Sequence, residues 1–331
     1  MASGTPGGEG EATRNALFLQ RCFGGRAMRW SDALIARTRR HIGGCLSSVE
    51  MALRLELGAD FDARLPDAVC WPRVQADPAL IDDALLADMR DRAAIGLMAR
   101  DPMLADPAEH PATSPLPQAV ADFVAALALA QSGWADAGPD DLPMRADLPA
   151  EAMPDLVWTV GALIADAAPA EDMQAIDQAC VALLTRHDEQ HMPFAQAALL
   201  AHRLHGVPND ADMLLTLARQ RQVLALFAVM ADRLGVDLRC LVRHVVEAEE
   251  MALFTLCRAA QFPREVAVRL VLGRRSVARG VGDSVLVDYA DDYEGMTLKQ
   301  ARAAVAGLSL SAPLRTRLAA VSARRSPACG A

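Results

Sequence analysis

The chain has one lysine, Lys299, in 331 residues, and only 4% of its side chains are aromatic. The near-total use of Arg extends to ordinary surface positions and reads as base composition rather than mechanism. With 8 Phe, 4 Trp and 2 Tyr, the usual strand formers are scarce, while Ala, Leu and Val supply most of the 52% apolar content. Ala and Leu favour helix, and the missing aromatics weaken any sheet reading. No apolar run approaches the ~18 residues a membrane span needs. Val120–Ala130, the strongest stretch, is interrupted by Asp122. Met1–Gly10 is Gly-rich and lacks the apolar segment of a secretory signal. The seven cysteines are odd in number, scattered, and form no C-x-x-C pair, which suits free thiols in a reducing compartment. A cytoplasmic protein is expected.

A formal charge of −9 excludes a general attraction to nucleic acid or anionic membrane. The charge is uneven, with Arg14, Arg21, Arg26, Arg29, Arg37, Arg39 and Arg40 near the start and Arg315, Arg317, Arg324 and Arg325 near the end. These read as solvated helix faces.

What is present is helical periodicity. Ser31 or Asp32 caps a helix expected to run to Leu57, with Leu34, Ile35, Thr38, Ile42, Leu46, Val49 and Leu53 on one face and Gly58 as its stop. Asp60–Pro78 reads as a turn-rich connection, followed by a helix over about 79–99. Asp101–Pro117 carries five prolines and cannot be a regular helix. A helix over 118–131 follows, then a Pro- and Asp-rich stretch at 136–149 that reads as a linker and domain boundary. Beyond it, helices are expected at about 150–167, 171–185, 191–205, 210–234, 237–246, 248–260 and 263–272, then at 297–306 and 313–321. Ser284–Tyr289 reads as helix or extended loop, since a lone strand has no partner. One segment occurs twice. Ala225-Leu226-Phe227 leads through Gly235-Val236-Asp237, and Ala252-Leu253-Phe254 leads through Gln261-Phe262-Pro263, at an offset of about 26 to 27 residues. Such periods mark helical repeats that bury their apolar faces on one another. The expected fold is all-α: an irregular array of antiparallel helix pairs, HEAT-like or bundle-like, over 150–321, with a smaller N-terminal helical region at 14–135 and tails at 1–13 and 322–331.

Residues from about Leu156 to Leu318, half the chain, resemble the alphaproteobacterial domain-of-unknown-function family 2336. The resemblance is carried by Asp155-Leu156-Val157-Trp158, by Asp177–Leu184 with His187-Asp188-Glu189, and by Leu224–Phe227 with Leu234-Gly235-Val236. Cys257-Arg258-Ala259-Ala260 and Asp288–Tyr293 also fit. It implies a helical, repeat-like domain and supplies no catalytic residues.

Four constellations could carry chemistry. His187-Asp188-Glu189-Gln190-His191 places two histidines at i and i+4, a spacing that can bind zinc on one helix face, with His202 or His205 as a third ligand. It departs from H-E-x-x-H, because Asp188 stands where the general base belongs. Pro193 follows closely, so a polar junction between two helices is the plainer reading. His41, in Arg39-Arg40-His41, could accept a phosphoryl group if exposed on its helix, or simply lie on a basic face. Gly273-Arg274-Arg275-Ser276 and Arg279-Gly280-Val281-Gly282 suggest an anion loop but lack a P-loop lysine. Glu247, Glu249 and Glu250, beside Glu265, could bind a divalent ion or merely complement a helix N-terminus. No G-x-S-x-G motif, Cys/His dyad or dinucleotide fingerprint occurs.

The expected function is therefore non-enzymatic: an adaptor or regulatory protein that binds a protein partner, without nucleic acid, membrane or cofactor. The alternatives are a metal-dependent hydrolase centred on His187 and His191, with zinc as the metal, and a phosphorelay component using His41.

Overall fold

The structure, a computed structural model, describes residues 18, 20–24, 29–101, 104, 116–135, 138–205, 211–280, 282–311, 313–315, 317–318 and 321. The expected tails and most of the Pro-rich 101–117 segment lie outside the described residues. The described chain is all-α, and its one β-type contact is an isolated bridge between Trp30 and Ala278. It divides into two compact units: residues 1–101, 125–196 and 274–279 in the first, and 102–124, 197–273 and 280–331 in the second.

The first unit is built around α1 (Asp32–Leu57). Ser31 caps it, its hydroxyl accepting from the Leu34 N–H, and Gly58 at φ 87° ends it. The apolar positions read from the sequence are its core face, with Leu34, Ile42, Leu46, Val49 and Leu53 all buried. Around it pack α2 (Ala59–Arg64), α3 (Cys70–Ala76), α4 (Asp83–Arg100), α6 (Met153–Ala167) and α7 (Met173–Thr185). The helix α5 (Gln118–Gln131) matches its expected bounds. The Asp60–Pro78 connection contains two short helices that its turn residues hide. Each exists to seat side chains in the core: Phe61 from α2, and Trp71 and Val74 from α3. Helices α6 and α7 group with α1 rather than with the C-terminal array. Of the 136–149 stretch, read as a linker, the described residues 138–149 belong to the same unit, with Met144, Asp147 and Leu148 buried.

In the second unit both chain neighbours and helices further apart in sequence pack together. Its described helices are α8 (Pro193–Leu204, from Ala197 on), α9 (Ala211–Arg219), α10 (Val223–Leu234), α11 (Leu238–Glu247), α12 (Glu250–Ala259), α13 (Arg264–Arg274, up to Gly273), α14 (Asp283–Gly295) and α15 (Leu298–Val305). α10 sits against α9, α11 and α12, and every residue from Val223 to Ala231 is buried. α12 packs in turn on α14 and α15. Ser284–Tyr289 falls within α14, whose Tyr293 is buried.

The duplicated segment is a repeated turn. At the first copy, Gly235 adopts φ 63°, its N–H bonds to Asp232 O, and the Val236 N–H bonds to Ala231 O. At the second, Gln261 adopts φ 58°, with its N–H on Arg258 O and the Phe262 N–H on Cys257 O. Both are Schellman caps, which satisfy carbonyls that a helix end leaves without partners. A third, unexpected one splits the helix read over 210–234. Arg221 at φ 58° has its N–H on Ala218 O, while the Gln222 N–H reaches Leu217 O. Neither Gly nor Pro marks that break, so the sequence conceals it. Arg233 links the two repeat turns, donating from Nη1 to Ala260 O at 2.9 Å and lying over the Phe262 ring.

A Cβ added at Gly235 meets no atom within 4 Å, so only backbone strain opposes a side chain there. Gly235→Ala is expected to cost about 1 kcal/mol. Gln261→Gly, at the equivalent turn, is expected to be neutral or stabilising by a few tenths of a kcal/mol. Urea unfolding midpoints of the two variants measure both; equal losses would contradict the turn equivalence.

Candidate functional site

In the first unit, α1, the turn after it and an extended strap enclose an open groove of about 470 Å³. Its floor is the α1 face carrying Ser47, Glu50, Met51, Arg54 and Leu55. One wall is Gly58, Ala59, Asp62, Pro66 and Ala68, and the other is Asp141 and Pro143. Met51 and Leu55 stand four residues apart on α1, on the same face of the helix. They are 48% and 74% exposed, although both are large and apolar.

The first wall is fixed by a buried ion pair. The Glu50 carboxylate accepts from the Arg54 guanidinium at 2.9 Å and from the backbone N–H groups of Val69 and Cys70, each at 2.9 Å. Arg54 also donates to Asp62 Oδ1, Leu65 O and Asp67 O. All five of its N–H donors are thereby engaged. Burial alone raises the Glu50 carboxyl, but the Val69, Cys70 and Arg54 hydrogen bonds outweigh it and hold the group below its ordinary value. The pair locks α1 to the 65–70 loop, so this side of the groove is preformed.

The opposite wall is the strap, residues 139–148, which has almost no regular structure. It is held by its backbone. Arg40 donates to Leu142 O, and Arg92 donates to Arg145 O and Ala146 O. The Met144 N–H bonds to Gly44 O at 2.8 Å, although Gly44 lies in the middle of α1. Gly43 and Gly44 make this approach possible. A Cβ on Gly44 would lie 2.7 Å from Met144 Cβ and 2.9 Å from Leu142 O. Mid-helix glycine costs about 1 kcal/mol against alanine, and close backbone approach is what it provides here. Asp147, at φ 46°, accepts from Trp134 Nε1 at 3.1 Å and pairs with Arg145 at 3.3 Å. Arg92 lies over the Trp134 ring, 5.3 Å from its centroid.

His41 lies beneath this arrangement and is fully buried. Its Nε2 is 3.1 Å from Trp134 O. A carbonyl only accepts, so Nε2 carries the proton and Nδ1 is a bare lone pair. Nδ1 has no hydrogen-bond partner among the described residues. Burial lowers the ring's pKa well below its ordinary value, and Arg92 lowers it further, against the Trp134 carbonyl. The exposed position that phosphoryl acceptance requires is therefore absent. So is the solvated basic face, since Arg40 is buried as well.

The His187–His191 segment is a non-helical junction, so the i, i+4 face expected for zinc does not form. His187 Nε2 is bonded to Leu148 O at 3.0 Å, and His191 Nδ1 to Asp188 Oδ2 at 3.1 Å. His187 and His191 belong to the first unit, whereas His202 and His205 belong to the second, where His205 pairs with Asp232 at 3.0 Å. Among the described residues no group of three or more His, Cys, Asp or Glu side chains is placed to hold a metal. In the acidic cluster, Glu250 is buried at the start of α12, and Glu265 pairs with Arg269 at 3.0 Å. Of the suggested anion loop, Gly273 and Arg274 finish α13 with Arg274 buried, Ser276 O accepts from Ser31 Oγ, and Val281 lies outside the described residues.

No protein-family model, curated protein or solved structure matches the chain. The groove residues were not singled out in the sequence. The available signal was Met51 and Leu55, two apolar side chains displaced from the Leu46, Val49 and Leu53 stripe of α1.

Two outcomes test this geometry. Glu50→Gln removes the more buried of the carboxylates that answer Arg54 and turns an amide N–H toward backbone donors, and is expected to cost about 3 kcal/mol at pH 7. Because the folded carboxyl sits below its unfolded value, wild-type stability from this group is full above the ordinary carboxylate range. It is lost as pH falls below ~4, and the variant should lack that loss in urea titrations. His41→Gln keeps a donor for Trp134 O and removes the titration. His41 stays neutral when folded and protonates when unfolded, so wild-type stability should fall by up to ~1.4 kcal/mol per pH unit below about pH 6.5. The variant's stability should fall less steeply between pH 7 and pH 5 in ~0.1 M salt.

Proposed function

We propose that this chain is a non-enzymatic interaction protein, adaptor or regulatory in kind, that docks a segment of a protein partner in the α1 groove. The observation that carries the reading is the exposed Met51 and Leu55 pair on the floor of a cleft whose walls are already built. A monomer gains nothing by exposing two large apolar side chains together, whereas a bound segment that covers them gains about 1.5–3 kcal/mol for each one buried. Preformed walls also spare the partner the cost of ordering the site. Methionine at such a floor is adaptable and accepts anchors of different shape.

The other two functions find less support. The first of the two histidines at the junction is engaged by a backbone carbonyl, and His41 has no path to a phosphoryl donor from the surface. The resemblance to the family of unknown function bears on the second unit and on α6 and α7, and it assigns no chemistry to either.

Panning a random peptide display library against the full chain tests the reading. Binders are expected, and Leu55→Glu should weaken the best of them at least about tenfold, a loss of ~1.4 kcal/mol. Because Leu55 is exposed, the thermal midpoint should hardly change. Binders that hold equally well to Leu55→Glu would place recognition elsewhere on the chain.

A further inference from the structure

We infer that the groove selects a cationic partner segment: an aliphatic or methionine anchor for the Met51–Leu55 floor, with a lysine or arginine beside it for the Asp141 carboxylate. This rests on the docking function proposed above and adds the chemistry of the occupant.

The charge inventory of the groove decides it. Among the described residues, the charged side chains that line it are Glu50, Arg54, Asp62 and Asp141. The single cation is already spent. Arg54 donates from Nε and Nη2 to Glu50, from Nη1 to Asp62 Oδ1 and Leu65 O, and from Nη2 to Asp67 O. A guanidinium has five donors, and these five bonds use them all, so Arg54 has nothing to offer an anion. Glu50 is likewise engaged, but Asp62 and Asp141 are not spent in the same way. Asp62 bonds to Arg54 through Oδ1, which leaves Oδ2 for another donor. Asp141 is exposed on the strap at the groove edge. An acidic segment would therefore meet the exposed Asp62 and Asp141 carboxylates with no cation free to receive it, while a basic one would find acceptors at the rim and apolar contact at the floor. This is the division of labour found in protein interfaces, where a central apolar anchor gives affinity and rim charges give orientation and rate.

The same inventory favours a peptide segment over a compact ligand. The floor is a helix ridge with anchors four residues apart, and Asp62 and Asp141 lie on opposite walls rather than converging on a point. A chain with side chains spaced along it meets both features.

The experiment uses the peptides selected on the full chain. The enriched sequences should combine an apolar anchor with a nearby Lys or Arg, and the affinity of the synthesised best binder should fall as salt rises. Asp141→Asn should weaken it about threefold, the size expected of one rim charge pair. Leu55→Glu serves as the control for the site. If enriched peptides lack basic residues and bind Asp141→Asn and wild type alike, yet lose affinity for Leu55→Glu, the cationic selection is overturned and the docking function stands. If Leu55→Glu changes nothing, both are overturned. If sedimentation of the full chain shows concentration-dependent dimers that Leu55→Glu abolishes, the occupant is a second copy, and the selection is likewise overturned.

Discussion

The Glu50 carboxylate is the point from which much of the first unit is organised. It lies on the central helix, almost fully buried, and an isolated buried carboxylate is costly. Its charge is tolerated because two backbone N–H groups and Arg54 answer it at once. That requirement fixes where the chain goes after α1. The Val69 and Cys70 amides must return to the helix, and the 65–70 loop must pass within reach of Arg54. α3 starts at Cys70, so its seating of Trp71 and Val74 in the core follows from the same anchor. A wall of the groove is thus a by-product of satisfying one charge.

The other wall obeys the opposite logic. The strap brings backbone carbonyls to the protein, and buried arginines on α1 and α4 answer them. Its hold depends on missing side chains at Gly43 and Gly44, which weaken α1 locally so that a second backbone can lie against it. Packing around the strap also explains the state of His41, whose Nε2 is bonded to the carbonyl of Trp134.

The fold was legible where local rules and tertiary packing agree. Ser31, Gly58, Asp237 and Thr297 cap or stop helices as their types suggest, and the α1 stripe is a core face. Legibility failed where packing supplies what the residue type does not announce. Arg221 and Gln261 adopt a conformation usually left to glycine, and α2 and α3 are too short to show a period. The proline and aspartate density of 136–149 goes with a lack of helix over its described residues, 138–149, but it says nothing of whether the segment is free or held. The histidine pair shows the same gap from the other side. Its spacing is that of a metal face only if the segment is helical, and at this junction it is not. The groove escaped notice because its two apolar floor residues look like ordinary helix residues until the walls beside them are known.

A strap gripped by its carbonyls has an unusual tolerance. Arg40 and Arg92 bond to oxygen atoms that every amino acid carries, so most side chains along 139–146 can change without loosening their hold. Its path is therefore recorded in residues about a hundred and about fifty positions earlier in the chain, on α1 and α4, rather than in its own sequence. A groove wall of this kind can alter the surface it shows to a partner while the framework beneath it stays the same.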